Sequence, residues 1–447
     1  MAMSDAATPL TGPIPVVGAR GWGTARSTLG IRNYRFVLAS MMSGFIATWI
    51  ARITQDWILL EMTQSVAAVG LAVTFQFAPV LVLGLWGGVI TDRFPRLRIV
   101  RITQTITALG VLALAALMLL GILEVWHIYG FAVLTGLVAV AEGPARSALV
   151  TQIVPSGQLQ GAIGMTATAF HVASFVGATT SGAVIALFGV RWALVAALAF
   201  AVLAAGALVF VRSAQLHPVA PLPHRTGLRA GLAYAYRKPA IRWPFVLIAF
   251  IATFGMTHTV LFAAAARDIG FDSGAAGYGF YLAMGSAGAV IGGFAAIGRK
   301  RIGMGPVVIA AVAFGAVMSL ASAAVTESAF VVAVVLLSAV RIYCVTGIEA
   351  LFQLSANPAM RGRVAGVYFV IVAAGQSVGP LLIGGAAESF GLQAAFALAG
   401  GLPLAAACII GMMVVRSRGL RLRVVPRRWR MLALVPRESP LDGMATD

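Results

Sequence analysis

Polar residues in this chain come as short clusters between long apolar runs, and the runs decide what kind of protein it is. Crossing a bilayer as a helix takes about 20 apolar residues, because only a backbone bonded within its own segment survives in hydrocarbon. Twelve runs reach that length, near 36–57, 66–90, 98–121, 126–143, 160–187, 190–211, 244–265, 275–297, 304–325, 328–350, 364–387 and 392–415. The pattern predicts an all-α integral membrane protein with twelve transmembrane helices. Between the sixth and seventh runs, 212–243 is basic and holds Pro218, Pro221 and Pro223, so it reads as a connector. The expected organisation is an amino-terminal segment 1–35, a six-helix bundle 36–211, the linker 212–243, a second six-helix bundle 244–415 and a basic tail 416–447.

The two halves repeat. VGATTSGAVIALFGVRWA from Val176 aligns with VGPLLIGGAAESFGLQAA from Val378, matching Gly177 with Gly379, Gly182 with Gly384, Phe188 with Phe390, Gly189 with Gly391 and Ala193 with Ala395. Gly87-Gly88 followed by Arg96 pairs with Gly292-Gly293 followed by Arg301 at nearly the same separation, about 200 residues, as parallel transporter repeats require.

Composition supports the membrane reading: 60% of the 447 residues are hydrophobic and 10% charged, against about 25% charged in a soluble domain. The net charge of +18 does not point to nucleic acid, because the basic residues punctuate apolar blocks instead of clustering with aromatics on a soluble surface. They do orient the spans, since Lys and Arg accumulate in cytoplasmic loops. With both termini inside, Arg191 and Arg267 fall outside and Arg52 and Arg341 within spans; every other one of the 32 basic residues lies on the cytoplasmic side, Arg146 in the loop after the fourth run. The first 35 residues are polar and Gly/Pro-rich, unlike a secretory signal, so the amino terminus is expected to stay cytoplasmic and uncleaved. Cys344 and Cys408 both lie in apolar stretches and suggest neither a disulfide nor a metal site.

After the second run the chain reads GGVITDRFPRLR, Gly87 to Arg98, which resembles the signature loop of the major facilitator superfamily. Gly88, Asp92, Arg93 and Arg96 occupy the motif positions, with Pro95 where the family has a second Gly. The segments RITQDWILLEMTQS after Ala51, EGPARSALVTQIVP from Glu142 to Pro155, and RGRV from Arg361 resemble the branch containing the bacterial enterobactin exporter and related drug-efflux carriers. The resemblance runs from Arg32 to about Val415. It implies the major facilitator fold, a central cavity between two bundles, alternating access and proton-motive force as the energy source. The Gly-Pro-x-x-Gly-Gly pattern of proton antiporters is replaced at Gly177–Gly182 by GATTSG, and the proline occurs only in the eleventh run, as Pro380.

A glycine lets helices approach closely, an Asp at a helix end can face a neighbouring helix amino terminus, and arginines can pair with acids across the surface. Gly88, Asp92, Arg93, Arg96, Glu142, Arg146, Arg361 and Arg363 are therefore candidates for a conformational latch; the alternative is a topology signal of solvated charges. Ionisable groups within spans are costly and so are functional candidates. Arg52 and Asp56, at i and i+4, can meet on one face as a static ion pair or as a proton-coupling pair. Arg341 lies mid-span, too far from Glu349 along one helix to pair with it, so both should find partners on other helices. His171 can titrate or can be a hydrogen-bonded packing residue. Gln76, Gln104, Tyr278, Tyr281 and Gln376 could line the same cavity. Gly288 and Gly292 form a GxxxG, a helix-packing pattern.

The resulting expectation is a monomeric, cofactor-free secondary transporter of a bacterial inner membrane. It would export small hydrophobic compounds, drugs or siderophore-like metabolites, with protons as coupling ion and no nucleic-acid partner. A membrane-embedded transferase is the alternative, as is a transport-dead homologue acting as sensor or scaffold. The transferase would need a clustered catalytic set, and the sequence has no metal-ligand spacing, phosphate loop or nucleophile with a base.

Overall fold

The structure, a computed structural model, describes residues 14–15, 28–155, 158–216, 228–268, 274–297, 299, 301–324, 326–357, 360–417, 420–427 and 430–436. Twelve of its helical segments are long and apolar enough to cross a membrane. The first six spans are Arg32–Thr63, Val66–Arg93, Arg96–Leu119, Val125–Ile153, Leu159–Phe188 and Val190–Val209. The seventh is broken: Pro239–Phe254, a 3₁₀ turn at Gly255–Thr257, then His258–Asp268. Gly274–Ile297, Met304–Leu320, Glu327–Ser355, Arg361–Phe390 and Leu392–Ser417 complete the set.

Local chemistry starts these helices where hydropathy alone cannot. The Ser65 and Thr326 side chains accept from the amides of Ala68 and Ala329, satisfying donors that a helix start leaves orphaned. Glu124 and His127 form a reciprocal capping box before the fourth span. Several helices overrun their apolar runs at the arginine-rich end. The fourth continues to Ile153, so Arg146 is a helical residue, not a loop residue as its charge suggested. Charge ends an apolar run, but a helix continues as long as its polar groups find partners inside the protein.

The spans pack as two six-helix bundles with the same internal order. In the first bundle the first span packs on the fifth and sixth, the second on the fourth, and the third on the fourth and sixth. The second bundle repeats each contact six spans later: seventh on eleventh and twelfth, eighth on tenth, ninth on tenth and twelfth. The repeat reaches individual turns. Gly189 ends the fifth span at φ +87° and its aligned partner Gly391 ends the eleventh at +83°, a backbone region that side chains with a Cβ disfavour. The bundles meet through the second span on the eleventh and the fifth on the eighth. Gly288 and Gly292 pack against the carbonyls of Val335 and Ala339 in the tenth span, so the GxxxG serves packing within the second bundle.

The connector is partly helical: Leu228–Arg237 lies against the eleventh span, with Gly231 at the Arg363 carbonyl. Two short antiparallel sheets lie outside the bundles. Ile14–Pro15 pairs with Arg301–Ile302, and Leu420–Arg427 forms a hairpin with Arg430–Pro436. Cys344 is buried, Cys408 exposed, and both are free thiols.

Candidate transport site and gate

At the end opposite the arginine-rich loops the two bundles are tightly joined. A Cβ on Gly182 of the fifth span would stand 3.0 Å from Gly279 Cα of the eighth, and one on Gly384 of the eleventh 3.1 Å from Ala67 Cα of the second. These are the aligned glycines of the repeat, each used at its own crossing between bundles. Glu388 of the eleventh span accepts from the Ser65 hydroxyl and, at 3.0 Å, from the Ala67 amide, placing a carboxylate at the amino terminus of the second span where the helix dipole favours it. Arg267 donates to the Gln64 carbonyl at 2.8 Å.

Just inside this closure, Tyr278 of the eighth span donates its hydroxyl to Asp56 Oδ2 of the first at 2.9 Å, and its ring stacks on Trp57 at 6.4 Å between centroids. Asp56 is 1% exposed and its Oδ1 has no partner. The expected meeting of Arg52 and Asp56 does not occur as an ion pair among the described residues. Asp56 faces the other bundle, where a hydroxyl reaches it, while the long Arg52 stem carries its guanidinium to the rings of Trp49 and Phe77, 5.7 Å from each. Arg52 Nε is buried without a partner.

Arg341 of the tenth span is half-buried, its Nε likewise without a partner. Glu349 is engaged elsewhere, with the Tyr368 hydroxyl of the eleventh span. His258, which the sequence reading passed over, follows the 3₁₀ turn of the broken seventh span. Its Nδ1 is buried and unpartnered, its ring is edge-on to Phe262 at 5.6 Å, and Arg52 and Arg341 both lie within electrostatic range of it. The signal that singled out His171, a lone histidine in an apolar run, applied equally to His258. The backbones of His171, Gly88 and Asp92 are helical, but the side chains of His171 and Asp92 and the surroundings of Gly88 lie outside what the structure describes.

The remaining latch candidates are dispersed. Glu142 and Arg146 pair with each other inside the first bundle, where Gln104 of the third span also donates to Glu142 and the Arg146 guanidinium lies 4.8 Å from the Phe45 ring. Arg93 is exposed and Arg96 half-buried. Arg361 donates to the Ala356 carbonyl at 3.3 Å, and Arg363 contacts Met360 sulfur at 3.0 Å. Cations at this end close helix carboxyl termini: Arg101 donates to the Leu208 and Val211 carbonyls, Lys238 to that of Ser355. Among the described residues no side-chain hydrogen bond joins the two bundles here. Of the remaining cavity candidates, Tyr281 donates to Glu327 within the second bundle, Gln76 to Thr135 within the first at 3.5 Å, and Gln376 is half-buried in the eleventh span.

Two parallel-repeat bundles, joined at one end over buried charges, define a membrane transporter of the major facilitator type. The chain belongs to the transmembrane secretion effector family, whose model matches residues 24–429. The staphyloferrin A transporter of Staphylococcus aureus (strain NCTC 8325 / PS 47) is 22% identical over 155 residues, which is 34% of this chain and only 39% of that protein. Three solved structures share the fold. A POT family transporter in complex with a thioalcohol-conjugated peptide has a TM-score of 0.70 at 11% identity, covering 88% of this chain and 99% of that one. The nucleoside transporter NupG scores 0.65 at 14%, covering 86% and 99%. A bacterial homologue of the human lysosomal transporter Spinster, inward-facing and unoccupied, scores 0.63 at 16%, covering 86% and 95%.

Proposed function

We propose that this transporter exports small molecules across a bacterial inner membrane by proton-coupled alternating access. The observation that carries the reading is the Asp56–Tyr278 bond: a buried carboxylate from one bundle holds a hydroxyl from the other at the closed end. A charged carboxylate accepts this bond more strongly than a neutral one, so the protonation state of Asp56 biases whether that end opens. The arginine-rich end faces the cytoplasm by the positive-inside rule, which makes the closed end the outer one and the conformation inward-facing. Gly88, Asp92, Arg93 and Arg96 then serve as the cytoplasmic latch for the opposite state. Export is supported by the family's description as a secretion effector, and a siderophore-like cargo by the relative named for staphyloferrin A. The chain works as a monomer and performs no chemistry on its cargo.

Orientation is checked by thiol labelling. Ser213→Cys, just after the sixth span, should resist an impermeant maleimide in intact cells and react after permeabilisation; labelling of intact cells would reverse the topology.

Coupling is checked in proteoliposomes with staphyloferrin A and ethidium as cargoes. Asp56→Asn keeps the shape and a carbonyl oxygen for Tyr278 but removes the titrating charge. Uphill flux under an imposed pH gradient should fall to the level seen without one, while counterflow persists. Undiminished gradient-driven flux in the variant would remove Asp56 from coupling and leave His258 and Glu349 as candidates.

A further inference from the structure

Ionised groups inside a span cost several kcal/mol unless paired or hydrated. Most of those described here are accounted for: Glu142 has Arg146, Glu349 has Tyr368, Glu388 has Ser65, and Asp56 has Tyr278. Away from the cytoplasmic ends of the spans, where Arg96 and Arg242 also keep a buried Nε without a partner, two cations are left over. Arg52, from the first bundle, and Arg341, from the second, make no ion pair or hydrogen bond among the described residues, and each keeps a buried, unpartnered Nε. The helix that starts at His258 packs on the first span, which carries Arg52, and on the second, whose Phe77 ring lies against the Arg52 guanidinium, and Arg341 lies within electrostatic range of the same His258 ring. Asp56 is the acid nearest Arg52 along its helix, and one carboxylate cannot neutralise two guanidiniums. Trp49 and Phe77 bracket the Arg52 head and give the same region apolar walls.

We infer that the cargo is an organic anion bearing carboxylate groups, held between the bundles by Arg52 and Arg341. A guanidinium is a planar fork that binds a carboxylate through two parallel N–H···O bonds, and it keeps its charge in surroundings where a lysine would lose its own. With one arginine on each bundle, a cargo carrying two or more carboxylates bridges the halves, and the attraction changes as the bundles rock. The inference rests on the reading of the chain as a carrier and deepens it from small molecules in general to polycarboxylates.

The test is binding to the purified full-length protein in detergent, which needs no flux. Citrate serves as polyanionic probe, its uncharged triethyl ester as shape control and tetraphenylphosphonium as lipophilic cation, with melting temperature and tryptophan fluorescence as readouts at constant ionic strength. Citrate should bind saturably and the ester should not. Arg52→Gln and Arg341→Gln should each weaken citrate binding by roughly tenfold or more, with the ligand-free melting temperature kept. If Arg341→Gln does not fold, Arg341→Lys replaces the two-pronged guanidinium with a single ammonium and should likewise weaken citrate binding. Citrate binding no better than that of its ester, or full citrate binding in both arginine variants, would overturn the inference. Saturable binding of tetraphenylphosphonium with no citrate binding would overturn it and leave the carrier reading standing. Arginine-dependent citrate binding without any flux would do the reverse.

Discussion

Replacing Arg146 with methionine is expected to be among the most destabilising single changes in the first bundle. Arg146 and Glu142 are one helical turn apart, with 10% and 14% of their side chains exposed, and Gln104 supplies the second donor to the same carboxylate. Removing the cation leaves Glu142 charged and buried with a single neutral partner, and breaking a buried pair from one side costs about 3–5 kcal/mol. The loss should appear as a marked fall in melting temperature and in folded yield from detergent extracts. Changing both partners together, Glu142→Leu with Arg146→Met, removes the desolvation penalty along with the attraction. That double variant should recover most of the stability. If Arg146→Met melts with the wild type, the pair is hydrated and contributes little.

The largest effect on transport is expected from Gly182→Leu. In the closed state the fifth and eighth spans touch backbone to backbone at Gly182 and Gly279, leaving no room for a side chain. A leucine there has to push the bundles apart at that end, and backbone cannot yield as a flexible side chain can. Nothing in the fold of either bundle depends on the contact, because it lies between them. The variant should therefore insert normally, lose transport and populate the state open at this end. A cysteine placed at Ala178, buried in the closure one turn before Gly182, should become reactive to an impermeant thiol reagent in the variant and stay protected in the parent. Normal flux with a protected cysteine would mean that the closure is not part of the cycle. The symmetry-related crossing offers an internal comparison, since Gly384→Leu should act in the same way against Ala67.

These two sites also mark how far the sequence could be read. The family resemblance and the arginine pattern selected Glu142 and Arg146, but as surface latch residues, with Arg146 in a loop. Their burial follows from the fourth helix continuing to Ile153, which a hydropathy window that stops at charge does not register. Gly182 and Gly384 were visible as a repeat, while their role at the crossings between bundles was not. His258 carried the same signal as His171 and was overlooked, because neither its neighbours nor the break at Gly255–Thr257 is encoded by local hydropathy.

Span number, the division into six and six, the internal repeat and the asymmetry of arginine were all legible in the chain itself. Each is a sum over transfer preferences of individual residues, and such sums do not depend on what packs against what. Which polar groups meet depended on the tertiary structure: the Tyr278 hydroxyl on Asp56, Glu388 with the start of the second span, the Arg52 guanidinium on the Trp49 and Phe77 rings. A helix in hydrocarbon satisfies its own backbone at any rotation about its axis, so the sequence of one span leaves that rotation open. The close crossings at small residues fix it, and with it the side of each helix that looks into the other bundle.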